Sequence, residues 1–214
     1  GDLIGVGIFT TGRPGSGPGQ TSTTAGFQAR TMNIQATPIP ELLLIQPRVF
    51  DDPRGFFFES YNMAAFEQAG LETRWVQDNH ARSAHGTLRG LHFQAGPGQT
   101  KLVRCIRGCI WDVAVDIRPG SPTRGQWFAA ELSEDNKTMM YIPGGFAHGY
   151  CVLSELAEVV YKCNRLYDPA LESQIKWDDP QLAVKWPVAQ PLLSQRDVQA
   201  QSFQAYLDAM AGRA

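Results

Sequence analysis

The chain has 214 residues, of which 43% are hydrophobic, 10% aromatic and 19% charged, as in an ordinary globular protein large enough for a substantial core. A formal net charge of −2 argues against broad binding to nucleic acid or to an anionic membrane, while leaving room for a local basic site. Strongly apolar stretches such as Leu42–Ile45 and Val113–Val115 fall far short of the roughly 20 residues that span a bilayer, so no membrane association is expected.

Residues 1–31 are rich in Gly, Ser and Thr, carry only Asp2, Arg13 and Arg30 as charges, and show no sustained periodicity. Met32 then opens a segment that reads as an ordinary start. The first 31 residues are therefore expected to be a flexible or loosely docked extension ahead of one domain over residues 32–214. Residues 3–9 are apolar, but no basic residue precedes them and no clear cleavage signature follows, so no signal peptide is expected.

Strand signals dominate from Leu42 onward. They fall at Thr87–Gln94, Lys101–Arg107, Trp111–Ile117, Gln126–Leu132, Thr138–Ile142 and Glu158–Cys163. In Trp111–Ile117, residues Trp111, Val113, Val115 and Ile117 alternate with Asp112, Ala114 and Asp116, the period of a strand with unlike faces. Gly and Pro clusters at Ala95–Gly98, Pro119–Pro122 and Pro143–Gly145 separate the strands. Helical pattern is confined to Met63–Gln68 and Gln201–Met210. Many short strands with few helices predict an all-β sandwich or closed barrel of the jelly-roll type. Cys105, Cys109, Cys151 and Cys163 include no CxxC pair; buried thiols and a cytoplasmic location are the expectation.

With four histidines, acid–base chemistry has few places to sit. In Leu88-Arg89-Gly90-Leu91-His92-Phe93-Gln94, alternation puts His92 on one face with Gly90 and Gln94, and Leu91 and Phe93 on the other. A base in a barrel interior and a hydrogen-bonded structural histidine both fit that pattern. His148 ends Pro143-Gly144-Gly145-Phe146-Ala147-His148, whose PxGxxH spacing resembles the second motif of the cupin superfamily. A metal-binding cupin would also supply a paired histidine on an earlier strand, where this chain reads His92-Phe93-Gln94, so a metal site is not expected. No GK[ST] phosphate loop, GxSxG elbow or GxGxxG follows a strand. Arg89, Lys101 and Arg104 suit either a phosphate or oxyanion site or a solvated strand edge.

Eight segments in order carry a more specific signal: Asp52-Pro53-Arg54-Gly55-Phe56-Phe57-Phe58-Glu59-Ser60-Tyr61, Val76–His80, Leu88–Gln94, Lys101–Arg104, Asp112–Arg118, Ile142–Gly149, Val160–Cys163 and Ile175–Pro180. Together they closely resemble the dTDP-4-dehydrorhamnose 3,5-epimerase family, from about Ile34 to Asp197. The resemblance implies a metal-free, cofactor-free jelly-roll barrel of the cupin type, with a few short peripheral helices, working as a homodimer on a nucleotide-linked sugar. It implies inversion at C3 and C5 of dTDP-4-dehydro-6-deoxy-glucose, giving dTDP-4-dehydro-rhamnose. By residue match, His92 stands where the family has its base, Asp197 its carboxylate partner, Tyr161 its proton donor and Lys101 the cation near the C4 oxygen. Arg54, Phe57, Glu59, Gln77, Asn79 and Arg89 match nucleotide- and phosphate-contacting positions, and the Arg54–Glu59 strand reaches the partner subunit's site in the family. His148 and Glu172 match pocket-lining positions. The chain departs from the family at Asn164-Arg165-Leu166-Tyr167, which leaves the base-stacking contact open. The competing readings are a relative acting at one carbon and a cupin-like module that binds a sugar nucleotide without catalysis.

The residue types suit the implied reaction. Removing a proton beside a ketone calls for a base that titrates near neutral pH and for stabilisation of the enolate oxygen. Histidine held by a carboxylate meets the first need and a desolvated lysine the second. Inversion further requires a proton source on the opposite face of the ring, and a phenol keeps its proton until it is needed. Electrons move only within the keto–enolate system, so no redox group is required.

Overall fold

Side-chain alternation along short strands folds this chain into two sheets that enclose a common interior. The computed structural model describes residues 32–212; the extension expected over residues 1–31 lies outside them. The first strands are β1 (Met32–Ala36), β2 (Leu43–Pro47), β3 (Phe50–Asp52) and β4 (Gly55–Phe57), followed by helix α1 (Met63–Gln68). Strands β5 (Gln77–Ala84), β6 (Leu88–Gln94), β7 (Lys101–Arg107), β8 (Cys109–Asp116) and β9 (Trp127–Ser133) come next. After them lie β10 (Met139–Ile142), β11 (Phe146–Val152), β12 (Leu156–Cys163) and β13 (Glu172–Gln174), then α2 (Gln195–Val198) and α3 (Phe203–Ala211).

The larger sheet has the order β1-β2-β10-β7-β12-β5 and the smaller β13-β6-β11-β8-β9, while β3 and β4 pair only with each other. Neighbouring strands run antiparallel throughout both sheets. This is the jelly-roll, cupin-like barrel that the strand spacing and the family resemblance predict. Val103 and Cys105 of β7, Val159 of β12, Ile110 and Ala114 of β8 and Val152 of β11 meet between the sheets. Full burial of such a side chain contributes about 1.5–3 kcal/mol, and that interior ties the walls together.

The strongly patterned strand β8 has an unexpected orientation. Its apolar residues Val113 and Val115 face outward, against Phe203 and Tyr206 of α3, while Asp112 and Ala114 face the barrel interior. Both faces are buried, so alternation marks two different surroundings rather than core and solvent. Helix α3 is stopped from fraying by Ser202, whose hydroxyl accepts the Ala205 N–H at 3.1 Å. Phe203, Tyr206, Leu207 and Met210, at helical spacing, cover the smaller sheet, and Tyr206 donates to the Ile117 carbonyl at 2.9 Å. Among the described residues no helix is long and apolar enough to cross a membrane, and the four cysteines are unpaired.

Candidate active site

The geometry of β6 sets the site. Across the β6–β11 pairing, His92 is the Cα partner of His148 and Arg89 that of Tyr150, so Gly90 and Leu91 stand against the single residue Gly149. This bulge resets the alternation, and Arg89 and His92, three positions apart, both face the interior. Simple alternation would have put Arg89 on the outer face with Leu91. Only glycine fits the crossing: a Cβ on Gly90, whose φ is +136°, would meet the Gly149 Cα at 2.5 Å and the His148 carbonyl oxygen at 2.9 Å.

His92 is paired through Nε2 with Asp197 Oδ1 at 2.5 Å. Asp197 is 2% exposed and lies in α2, whose N-cap Ser194 accepts the Asp197 N–H at 3.1 Å and donates its own hydroxyl to Asp197 Oδ2 at 2.7 Å. Burial pushes the Asp197 carboxyl up, but the hydrogen bonds from His92 and Ser194 outweigh it and hold the group below the usual carboxylate range. An ionised carboxylate on Nε2 fixes the neutral tautomer with its lone pair on Nδ1, the nitrogen free to take a proton.

Lys101 and Tyr161 stand on the larger sheet. Lys101 and Cys163 are Cα partners, as are Tyr161 and Asn79, and Tyr161 packs against the interior cluster. The Lys101 ammonium lies 5.8 Å from the Tyr161 ring centroid and enters no ion pair among the described residues. Desolvation lowers its pKa from the ordinary lysine value. Burial, then the nearby Cys163 and Tyr150, pushes the Tyr161 phenol up to about 12. Glu172 stands on β13, two residues from the Cα partner of His92, and its charge acts to raise the pKa of both Lys101 and Tyr161 on the larger sheet.

The remaining predicted residues divide. Gln77 donates to Asn79 Oδ1 at 3.1 Å and accepts the Tyr167 N–H at 2.8 Å, and Asn79 donates to Cys163 Sγ at 3.6 Å. Arg89 donates from Nε to Ser83 Oγ at 3.0 Å, across from the smaller sheet to the larger. Glu172, the Cα partner of Gln94, accepts from the Tyr167 hydroxyl and pairs with Arg196. Burial raises the Glu172 carboxyl, but Arg196 and Tyr167 bring it below the usual range. His148 is buried, with Nε2 2.8 Å from Asp112 Oδ1.

Arg54, Phe57 and Glu59 do not join this group within the chain. They belong to the β3–β4 hairpin and the residue run after it, with Arg54 paired to Asp52 at 2.6 Å, Glu59 accepting from Asn62 at 3.1 Å and Phe57 68% exposed. Arg104 stands apart too: it lies on the outer face of the larger sheet, its guanidinium 5.2 Å from the Phe58 ring centroid, so it cannot act beside Lys101. Sequence reasoning missed Asp112, Ser194, Cys163 and Arg196. A charged residue on the inward face of β8 and the Ser-x-x-Asp spacing before α2 were the available signals.

The family model described as dTDP-4-dehydrorhamnose 3,5-epimerase matches residues 36–205. A dTDP-4-dehydrorhamnose 3,5-epimerase from Pseudomonas aeruginosa is 55% identical over 167 residues, covering 77% of this chain and 92% of that protein. One from Shigella flexneri is 52% identical over 174 residues, covering 80% and 96%. The crystal structure of a dTDP-6-deoxy-D-glucose-3,5-epimerase from Legionella pneumophila, in complex with dTDP-4-keto-L-rhamnose, superposes with a TM-score of 0.79 at 48% identity, covering 81% of this chain and 93% of that one. Fold and ordered motifs agree with this likeness, and the chain belongs to the dTDP-4-dehydrorhamnose 3,5-epimerase family.

Proposed function

We infer that this enzyme inverts C3 and C5 of dTDP-4-dehydro-6-deoxy-glucose, with His92 as base, Asp197 as its orienting carboxylate, Lys101 at the developing C4 oxyanion and Tyr161 as proton donor. One observation carries the reading: the imidazole–carboxylate pair is mounted on the smaller sheet and its helix, and the phenol on the larger sheet. A base and an acid on opposite walls act on opposite faces of a ring held between them, which is the requirement for inversion.

His92 Nδ1 takes the proton beside the ketone, and Asp197 stabilises the resulting imidazolium. Negative charge collects on the carbonyl oxygen, where the desolvated Lys101 ammonium stabilises it; such a donor typically contributes about 2.7–4 kcal/mol to the transition state. The Tyr161 O–H then gives its proton to the carbon from the other side. Its high proton affinity keeps it protonated across the working pH range. Arg89, Gln77, Asn79 and Glu172 supply hydrogen-bonding groups around the same space for the nucleotide and sugar.

The reading extends to a homodimer. Phe50, Phe56 and Phe57 are 48%, 59% and 68% exposed on the β3–β4 hairpin. Beside the outward Arg104, Val160 and Lys162 runs a groove of about 320 Å³, on the face of the larger sheet turned away from His92. An exposed aromatic hairpin carrying Arg54 and Glu59 is the kind of surface a second copy covers. In the dimer the hairpin delivers Arg54, Phe57 and Glu59 to the partner's nucleotide site. Four unpaired thiols agree with a cytoplasmic setting.

Proton NMR in deuterated water, with dTDP-4-keto-6-deoxyglucose and the downstream reductase omitted, tests the reaction. Deuterium enters at both C3 and C5 with the wild-type enzyme. In Tyr161→Phe the inverted product forms about 100-fold more slowly. Exchange at one carbon alone establishes a single-carbon epimerase, and unchanged product formation in Tyr161→Phe removes the phenol from its role.

A further inference from the structure

Behind His148 lie two buried polar atoms that the reaction as described does not use. Asp112 Oδ2 and Tyr150 Oη have no hydrogen-bond partner among the described residues, although Asp112 is 0% and Tyr150 4% exposed. The two residues are Cα partners across the β8–β11 pairing, so their side chains stand next to each other on the interior face. The other carboxylate oxygen, Asp112 Oδ1, receives His148 Nε2 at 2.8 Å. Ser83, which takes the Arg89 Nε–H at 3.0 Å, is close enough to the phenol to act on it.

A buried polar atom without a partner destabilises the fold, and here a carboxylate oxygen with none stands next to a phenol that only Ser83 approaches. One enclosed water with two to four polar partners removes both penalties, and Asp112 Oδ2, Tyr150 Oη and Ser83 Oγ offer that number. A carboxylate held at both oxygens cannot rotate about its χ2 axis, and the imidazole bound to it is then held in one orientation. His148 is the Cα partner of His92, so its ring borders the space where the sugar is placed.

We propose that Tyr150 is a positioning residue: together with an enclosed water it anchors Asp112 Oδ2, and through Asp112 it holds the His148 ring against the substrate space. Apolar packing alone does not account for the residue, because a phenylalanine would fill the same position without burying an unpartnered hydroxyl. The consequence for turnover rests on the epimerase reading above; the anchoring of His148 does not.

Tyr150→Phe removes the hydroxyl and keeps the ring, so the interior stays filled. The test follows the His148 ring N–H by NMR without substrate, and turnover in a parallel assay. In the wild-type protein this proton exchanges slowly with solvent; in Tyr150→Phe it exchanges at least about tenfold faster, and kcat falls about tenfold with KM unchanged. On an Asp112→Asn background the further change Tyr150→Phe has no added effect, as two parts of one linkage require. Exchange within twofold of wild type in Tyr150→Phe overturns the proposal, as does a His148 ring proton already in fast exchange in the wild type. A full additional loss on the Asp112→Asn background also overturns it. Faster N–H exchange in a protein that shows no epimerase activity would leave the anchoring intact and sink the functional reading instead.

Discussion

Replacing Asp197 by asparagine tests the catalytic pair with the least disturbance of shape. The side chain is 2% exposed and receives His92 at 2.5 Å and the Ser194 hydroxyl at 2.7 Å, so the amide inherits a filled, enclosed position. The carboxylate stabilises the imidazolium formed when the substrate proton is taken; a charge-assisted hydrogen bond of this kind contributes about 1.5–3 kcal/mol. At about 1.4 kcal/mol per decade, its loss slows proton abstraction about 10- to 150-fold. An asparagine N–H turned toward Nε2 adds to this by moving the imidazole proton to Nδ1, where the lone pair is needed. The expected result is a kcat about 10²–10³-fold below wild type, with KM within about threefold because the binding groups are untouched. Inversion rates read by NMR measure this, and a thermal melt shows that the variant is folded. A folded Asp197→Asn enzyme with kcat within about threefold of wild type would refute the pairing as the source of basicity. The linkage has a definite sign: Asp197 is held below its unfolded-state value, so its contribution to stability is present above that value and is lost as pH falls through the folded one. Wild-type and Asp197→Asn melting temperatures therefore converge in acid.

Lys101→Met keeps the bulk of the stem and removes the charge; kcat falls about 10²–10³-fold, and a loss under threefold would remove Lys101 from the oxyanion site. Because desolvation lowers the Lys101 pKa, wild-type turnover declines on the alkaline side before an ordinary lysine would lose its proton, and a pH profile flat past that point contradicts the assignment. Mixing inactive His92→Ala chains with Arg54→Ala chains, at sub-saturating substrate, restores about one quarter of wild-type activity, since half the dimers are hybrids with one intact site each. No recovery after subunit exchange means that the hairpin does not serve the partner. Gly90→Ala forces a Cβ to 2.5 Å from the Gly149 Cα and destabilises the fold by about 2–4 kcal/mol, read as a lowered melting temperature. An unchanged melt would show that the crossing of β6 and β11 can open at no expense.

Several strands were legible from pattern, and the reasons the others were not are local. Lys101–Arg107 is a strand as expected, and Met63–Gln68 a helix with Asn62 capping it. Strand β5, Gln-Asp-Asn-His-Ala-Arg-Ser-Ala, carries almost no apolar signal because it is the edge of its sheet and turns its polar residues into the site. Strand β11 shows no alternation because every residue from Phe146 to Val152 is buried, between two neighbouring strands and beneath two layers. Helix α3, expected over Gln201–Met210, spans Phe203–Ala211 because Ser202 makes the N-cap.

The order of residue types along the chain determined that this would be an antiparallel β barrel of a particular family, because hydrophobic period, turn residues and ordered motifs are properties of neighbours in sequence. Which residues touch was decided by the tertiary structure. Asp197 reaches His92 across 105 positions of chain because α2 docks against β6. Arg89 faces inward because two residues of β6 are set against Gly149, and Val113 and Val115 of β8 face outward because Phe203 and Tyr206 of α3 are there to bury them. Such contacts arise from a shared interior, where burial and the need to pair every polar group act on residues far apart in sequence.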